Sequence, residues 1–154
     1  MGKAVWAPDD AEADPSWPKW SFQREEINPS AEDIAVTVSL THDVSTKAVP
    51  YIRQALPSVR TILSAIPATG ASARAVTCGR HAFDLAEALA AEIKALREAH
   101  GLQGRVHLFV AGPGGFAFYF GQRQIAIGPT TLYELDFEGV QGGSYAPSLS
   151  FPVT

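Results

Sequence analysis

Arg105-Val106-His107-Leu108-Phe109-Val110-Ala111-Gly112-Pro113-Gly114-Gly115-Phe116-Ala117-Phe118-Tyr119-Phe120-Gly121-Gln122 decides the fold class of this 154-residue chain. Residues 105–110 have the length and apolar character of a buried strand. Residues 111–115 are a glycine and proline turn, and a helix is predicted over 113–121. Proline in the first turn of a helix loses only an N–H that would have been free anyway. A strand that passes through such a turn into a helix is the joint at which open α/β sheets hold ligands. Glycines let a ligand approach the backbone, and the first N–H groups of a helix attract anions. Gly112, Pro113, Gly114 and Gly115 are therefore candidate ligand contacts. Phe116, next to them, could stack on a base, an interaction of about 1–3 kcal/mol. The turn has neither a GxGxxG spacing nor the lysine of a phosphate-binding loop, which disfavours ordinary NAD or ATP binding.

Upstream, residues 33–40 (Asp33-Ile34-Ala35-Val36-Thr37-Val38-Ser39-Leu40) read as a second buried strand. Asp43 is placed to cap a helix running to about residue 56, with Pro50 imposing a kink or a late start. A strand over 58–66 and a loop over 67–79 follow. Residues 81–100 form the clearest helix, with Phe83, Leu85, Leu89, Ile93 and Leu96 near the 3.6-residue period and Gly101 as its stop. Downstream, short strands are predicted at 124–127, 131–137 and 146–153. This βαβ rhythm predicts an α/β fold with a central, mainly parallel sheet flanked by helices. Residues 1–30 carry Pro8, Pro15, Pro18 and Pro29 and are expected to be an extended arm, with Trp17, Trp20 and Phe22 anchoring it on the domain or on a neighbour. Residues 31–154 then form a single domain.

A net charge of −4 argues against a general nucleic-acid binder, so no genomic DNA binding is expected. It leaves room for a small anion held by a few local donors. No apolar run approaches membrane-spanning length, and the acidic start is unlike a secretory signal, so a cytoplasmic protein with no membrane partner is expected. One cysteine, Cys78, forbids an internal disulfide. The histidines His42, His81, His100 and His107 lack metal-ligand spacing, and neither a metal nor another cofactor is expected.

Three chain segments should meet at the carboxyl rim of the sheet. Thr41 and His42 can bond a ribose hydroxyl, a phosphate or a base edge, and Asp43 serves either as helix cap or as contact. Pro67, Thr69 and Gly70 close the second βα unit and offer their backbone. Arg74, in the loop beyond, is either a solvated charge or a bidentate phosphate ligand. Arg80 opens a helix against its dipole, a weak pointer to a nearby anion. His107 alternates within a strand as a satisfied core or interface residue, and Cys78 is a packing residue. No paired acid and base is visible, so no catalytic residue is assigned.

The order of these segments, with Trp20 and Phe22 ahead and Leu132-Tyr133-Glu134 and Tyr145-Ala146-Pro147-Ser148-Leu149 behind, resembles the C-terminal half of a SAVED domain. The resemblance covers residues 17–153. It implies a CARF-like Rossmann variant that senses a cyclic oligonucleotide second messenger, of the cyclic tri- or tetra-adenylate type, in bacterial CBASS or type III CRISPR anti-phage defence. It also implies pairing with a second SAVED-like core, from the same or a homologous chain, because a complete SAVED domain has two cores and this chain has room for one. The signal would pass to an effector outside this chain. Two alternatives stand beside this reading: a ring nuclease that degrades the bound messenger, with His42 or a loop arginine assisting, and an assembly subunit that binds no nucleotide.

Overall fold

The computed structural model describes residues 15–112, 120, 127–136 and 144–151. Six strands and two helices follow in the order β1 (Trp20–Glu26), β2 (Asp33–Ser39), α1 (Ser45–Ala55), β3 (Val59–Pro67), α2 (Gly79–His100), β4 (Val106–Ala111), β5 (Thr130–Asp136) and β6 (Ser144–Phe151). They form one sheet in the order β1-β3-β2-β4-β5-β6. The four central strands are parallel, and β1 and β6 pair antiparallel at the two edges. This is the α/β, mainly parallel architecture read from the sequence.

Period-2 alternation on β2 sorts its side chains to two helical layers. Ile34, Val36, Val38 and Leu40 join Leu85, Leu89, Ile93 and Leu96 of α2 on one face. Ala35 joins Ala48 and Ile52 of α1, with Phe109 and Tyr133, on the other. The helices thus cover opposite faces. The chain steps from β2 through α1 to the neighbouring β3, and α2 then carries it back across β2 to β4. The direction of winding reverses between β2 and β4. Their carboxyl ends form the crevice in which such sheets place ligands.

Three expectations are corrected. The arm predicted over residues 1–30 is, from Trp20 to Glu26, a strand of the domain's own sheet, in register with β3 from Pro67 to Thr61. Trp20 and Phe22 alternate onto the α2 core, and the Trp20 indole N–H donates to the Leu85 carbonyl at 2.8 Å. Ile127, expected at the end of a strand, is helical and buried, while 124–126 lie outside the described residues. Helix α1 starts at Ser45 and contains Pro50, so of the two outcomes expected of that proline the late start does not occur. The helix expected over 113–121 falls outside the described residues except for Phe120, which is helical and buried in the α2 core.

Candidate functional site: the carboxyl rim

Backbone hydrogen bonds tie three loops together at the switch point. The Ala111 carbonyl, at the end of β4, accepts from Leu40 N–H at 2.9 Å and Thr41 N–H at 3.1 Å. The Leu40 carbonyl in turn accepts from Ser72 N–H at 2.9 Å, which draws the loop after β3 onto the end of β2. That loop begins with a tight turn in which Gly70 N–H donates to the Pro67 carbonyl at 2.7 Å. Gly70 sits at φ +94°, a region that penalises any Cβ. Gly112 passes close over β2: a Cβ there would lie 3.0 Å from Leu40 Cδ1, a tight contact that the leucine side chain would have to relieve. Thr41, His42, Asp43, Pro67, Thr69, Gly70 and Gly112 are therefore on one rim, as the sequence predicts. Pro113, Gly114, Gly115 and Phe116 lie outside the described residues.

The rim residues differ in what they have left to offer. Asp43 is engaged: its Oδ1 accepts from Ser45 N–H at 2.8 Å and Ser45 Oγ at 2.6 Å. The Ser45 hydroxyl bond, the largest favourable influence, holds the Asp43 carboxyl below its ordinary value against partial burial, with help from the Ser45 N–H and Ser39. Ser39 Oγ accepts from Val44 N–H at 3.1 Å, and Val44, not the expected Asp43, is the N-cap residue of α1, so Asp43 bonds the Ser45 N–H from one position upstream. The start of α1 already holds a carboxylate and is a poor place for a second anion. Pro67 is buried and its carbonyl serves Gly70. Thr69 and His42 are exposed, and the His42 Nδ1 lies 3.4 Å from its neighbour Thr41 Oγ1.

Cations divide sharply. Arg24, Arg60 and Arg80 pair with Glu92, Glu26 and Asp84 at 2.8, 2.9 and 3.1 Å, and Arg53 pairs with Glu25. Arg97 donates to the Leu102, Gly104 and Ile127 carbonyls, and Arg105 to Thr131 Oγ1. Among the described arginines, Arg74 alone has an exposed guanidinium with no partner, and its backbone N–H is fixed to Ser72 Oγ at 3.1 Å. The Asp84 pairing also removes the electrostatic conflict that made Arg80 a pointer to an anion. Lys47, exposed in the first turn of α1, adds a cation that sequence reasoning did not single out.

A polar cluster that the sequence left unassembled sits at the opposite, amino end of the sheet. His107 Nε2 is 2.7 Å from Asp33 Oδ2, and His107 Nδ1 is 2.6 Å from Tyr133 Oη. The Asp33 carboxylate can only accept, so His107 Nε2–H donates to it, while Nδ1 and the Tyr133 hydroxyl share the second bond. Burial opposes the Asp33 charge, but bonds from His107, Arg105 N–H and Ser58 together hold its carboxyl below the ordinary value. Burial, with the charges of Tyr51 and Asp33, pushes the Tyr133 phenol up to about 12. Tyr133 also stacks on Phe109 with ring centroids 4.5 Å apart. This closed, satisfied chain fits the core role read for His107. Cys78, half-buried, precedes α2 without capping it. Among the described residues no group of potential metal ligands converges, and no helix is long and apolar enough to cross a membrane.

Comparison with known proteins agrees with this architecture. Solved structures of the Acinetobacter baumannii Cap4 SAVED/CARF-domain receptor, with the cyclic trinucleotides 2′3′3′-cAAA and 3′3′3′-cAAA, superimpose with TM-scores of 0.64 and 0.61 at 17% and 18% identity. They cover 92% and 93% of this chain and 29% of theirs. CD-NTase-associated protein 4 of Enterobacter hormaechei subsp. hoffmannii (strain UCI 50) is 30% identical over 148 residues, 96% of this chain. This chain spans 28% of that relative's length. The family model for SAVED, the SMODS-associated and fused to various effectors sensor domain, matches residues 2–151. With a family model matching nearly its whole length and a relative 30% identical over 96% of it, this chain belongs to the SAVED family.

Proposed function

We propose that this chain is a sensor module that binds a cyclic oligonucleotide second messenger of the cyclic tri- or tetra-adenylate type at the carboxyl rim, in CBASS or type III CRISPR defence. The observation that carries the reading is the unpaired Arg74 on a rim of zipped loops at the switch point. A ring of phosphates needs a few N–H donors and one or two cations, and Arg74 and Lys47 supply the cations there, with the His42 ring as a further polar contact, in a chain that is acidic overall. Thr41, Thr69 and the backbone near Gly70 and Gly112 supply donors, and Gly114, Gly115 and Phe116 complete the proposed contacts. The family and the cyclic trinucleotides in the Cap4 structures support this ligand class.

Mechanistically, one rim forms half of an enclosure. The ligand would bridge it to a second SAVED-like core, from an identical or homologous chain, and shift the equilibrium toward the assembled state by its differential affinity. The output would be delivered by an effector outside this chain. The test is native mass spectrometry and calorimetry of the purified protein against cyclic di-, tri- and tetranucleotides. Binding of a cyclic oligoadenylate, recovered intact by chromatography, is the expected result. No binding by the folded protein overturns the proposal, and cleaved product converts it to a ring nuclease.

A further inference from the structure

We infer, on the reading of the rim as the nucleotide site, that His81 is a positioning residue for nucleotide binding: its ring holds the loop that presents Arg74. Residues 68–78 join β3 to α2 with neither helix nor strand, so the direction of Arg74 depends on where this loop is tied. On the near side the tie is Ser72, whose N–H donates to the Leu40 carbonyl. Ser72 also takes the Arg74 N–H on its hydroxyl and the Ala75 N–H on its carbonyl, each at 3.1 Å. On the far side the tie is a side chain. Thr77 N–H donates to His81 Nδ1 at 3.1 Å, and the Thr77 hydroxyl lies 3.3 Å from the same nitrogen. Cys78, the N-cap of α2, makes no side-chain cap bond; the third residue of the helix, His81, reaches back to the loop instead.

The ring makes this tie directional. A backbone N–H can only donate, so Nδ1 carries the lone pair and Nε2 the hydrogen. Nε2–H donates to the Pro18 carbonyl at 2.7 Å, which fixes the same tautomer from the other side. The ring is buried, and Trp17 stacks on it with centroids 5.3 Å apart. Lys19, next to Pro18, accepts the Ala68 N–H on its carbonyl at 2.8 Å. The segment ahead of β1 thus holds both ends of the Arg74 loop, one directly and one through His81. An arginine that grips a phosphate with two parallel bonds needs a fixed backbone beneath it. A loop ordered before the ligand arrives spares the binding step that ordering cost. Loss of the Nδ1 acceptor should therefore weaken binding, whereas loss of the Nε2 donor should lower stability alone.

Calorimetry of the full chain with cyclic triadenylate separates the two halves of the ring. His81→Ala should weaken binding about fivefold, the net worth of one hydrogen bond. His81→Asn places an amide oxygen where Nδ1 stood and should restore most of that loss. His81→Gln places an amide N–H where Nε2 stood, keeps the Pro18 bond and should stay as weak as alanine. Melting temperature should fall in all three, so stability alone predicts no such split. Amide exchange followed by NMR reads the loop without ligand: the Ala75 and Thr77 N–H groups should exchange faster in the alanine and glutamine variants and return toward wild type with asparagine. In the wild type itself the ring nitrogen shifts should show Nδ1 bare and Nε2 carrying the hydrogen, a result that needs no variant to fold. An asparagine variant as weak as alanine, a glutamine variant as tight as wild type, a reversed tautomer or loop amides indifferent to the substitutions would each overturn the proposal. A wild type that binds no cyclic triadenylate overturns the nucleotide reading instead, and the exchange rates and ring shifts still decide whether His81 holds the loop.

Discussion

Arg74 is identified by elimination, because the other described arginines are held by a carboxylate, a carbonyl or a hydroxyl. An arginine in a loop costs the fold little to remove, so its loss can be read in binding alone. Arg74→Ala is expected to weaken cyclic oligoadenylate binding by about 1.5–3 kcal/mol, the range of a hydrogen bond to a charged group. Its melting temperature should stay with the wild type. Calorimetry at two salt concentrations checks both this loss and the flatter salt dependence that follows from one missing phosphate contact. An equal affinity in both proteins would return Arg74 to the solvated surface. Asp33 is the contrasting case, a carboxylate whose work is structural. Its folded value lies below the ordinary 3.8, so the charge stabilises the fold above that value and the contribution is lost as pH falls through the folded value. The stability advantage of the wild type over Asp33→Asn should thus be present above the ordinary value and be lost as pH falls below about 4. Urea unfolding across that range measures it. A gap that widens in acid would contradict the network drawn here.

Elements with one strong periodicity were legible in the sequence, and those that depend on a neighbour were not. The 3.6-residue stripe of α2 and the apolar runs of β2, β3 and β4 placed them within a residue or two, because each buries a whole face against its own core. Strand β1 was hidden. Trp20, Phe22 and Arg24 alternate as a strand should, yet prolines on both sides and the charged run Arg24-Glu25-Glu26 read as an extended arm. That charge belongs to its edge position, where it blunts an open strand. What fixes β1 is long-range: the Trp20 indole bond to Leu85, the Arg24–Glu92 pair and the ladder with β3. Trp20→Phe keeps the ring and removes the indole donor. The expected cost is about 1 kcal/mol, the net value of a hydrogen bond, seen as a lower urea midpoint at unchanged slope. An unchanged midpoint would leave the ring alone as the anchor. The rim followed the same division. Its place at the strand ends was legible from the turn glycines, whereas its latches, Ser39 on α1 and Ser72 on Leu40, are single serines with no sequence signal.

At the scale of the whole molecule, the proposed function predicts that one rim contacts only part of a cyclic ligand. A ring of nucleotides bound there would keep an exposed face for a second rim to cover, and this asymmetry would drive assembly. The free energy of covering is available only when ligand is present, so association and binding must be linked. Light scattering at micromolar concentration should therefore show a mass that at least doubles when cyclic oligoadenylate is added, and Arg74→Ala should suppress that increase. The proportion of bound ligand then decides the geometry. One nucleotide for every two chains is the expected value, because each ring is shared between two rims. A ratio of one ligand to one chain, with no increase in mass, would mean that a single rim encloses its ligand unaided, and the shared-rim mechanism would be wrong.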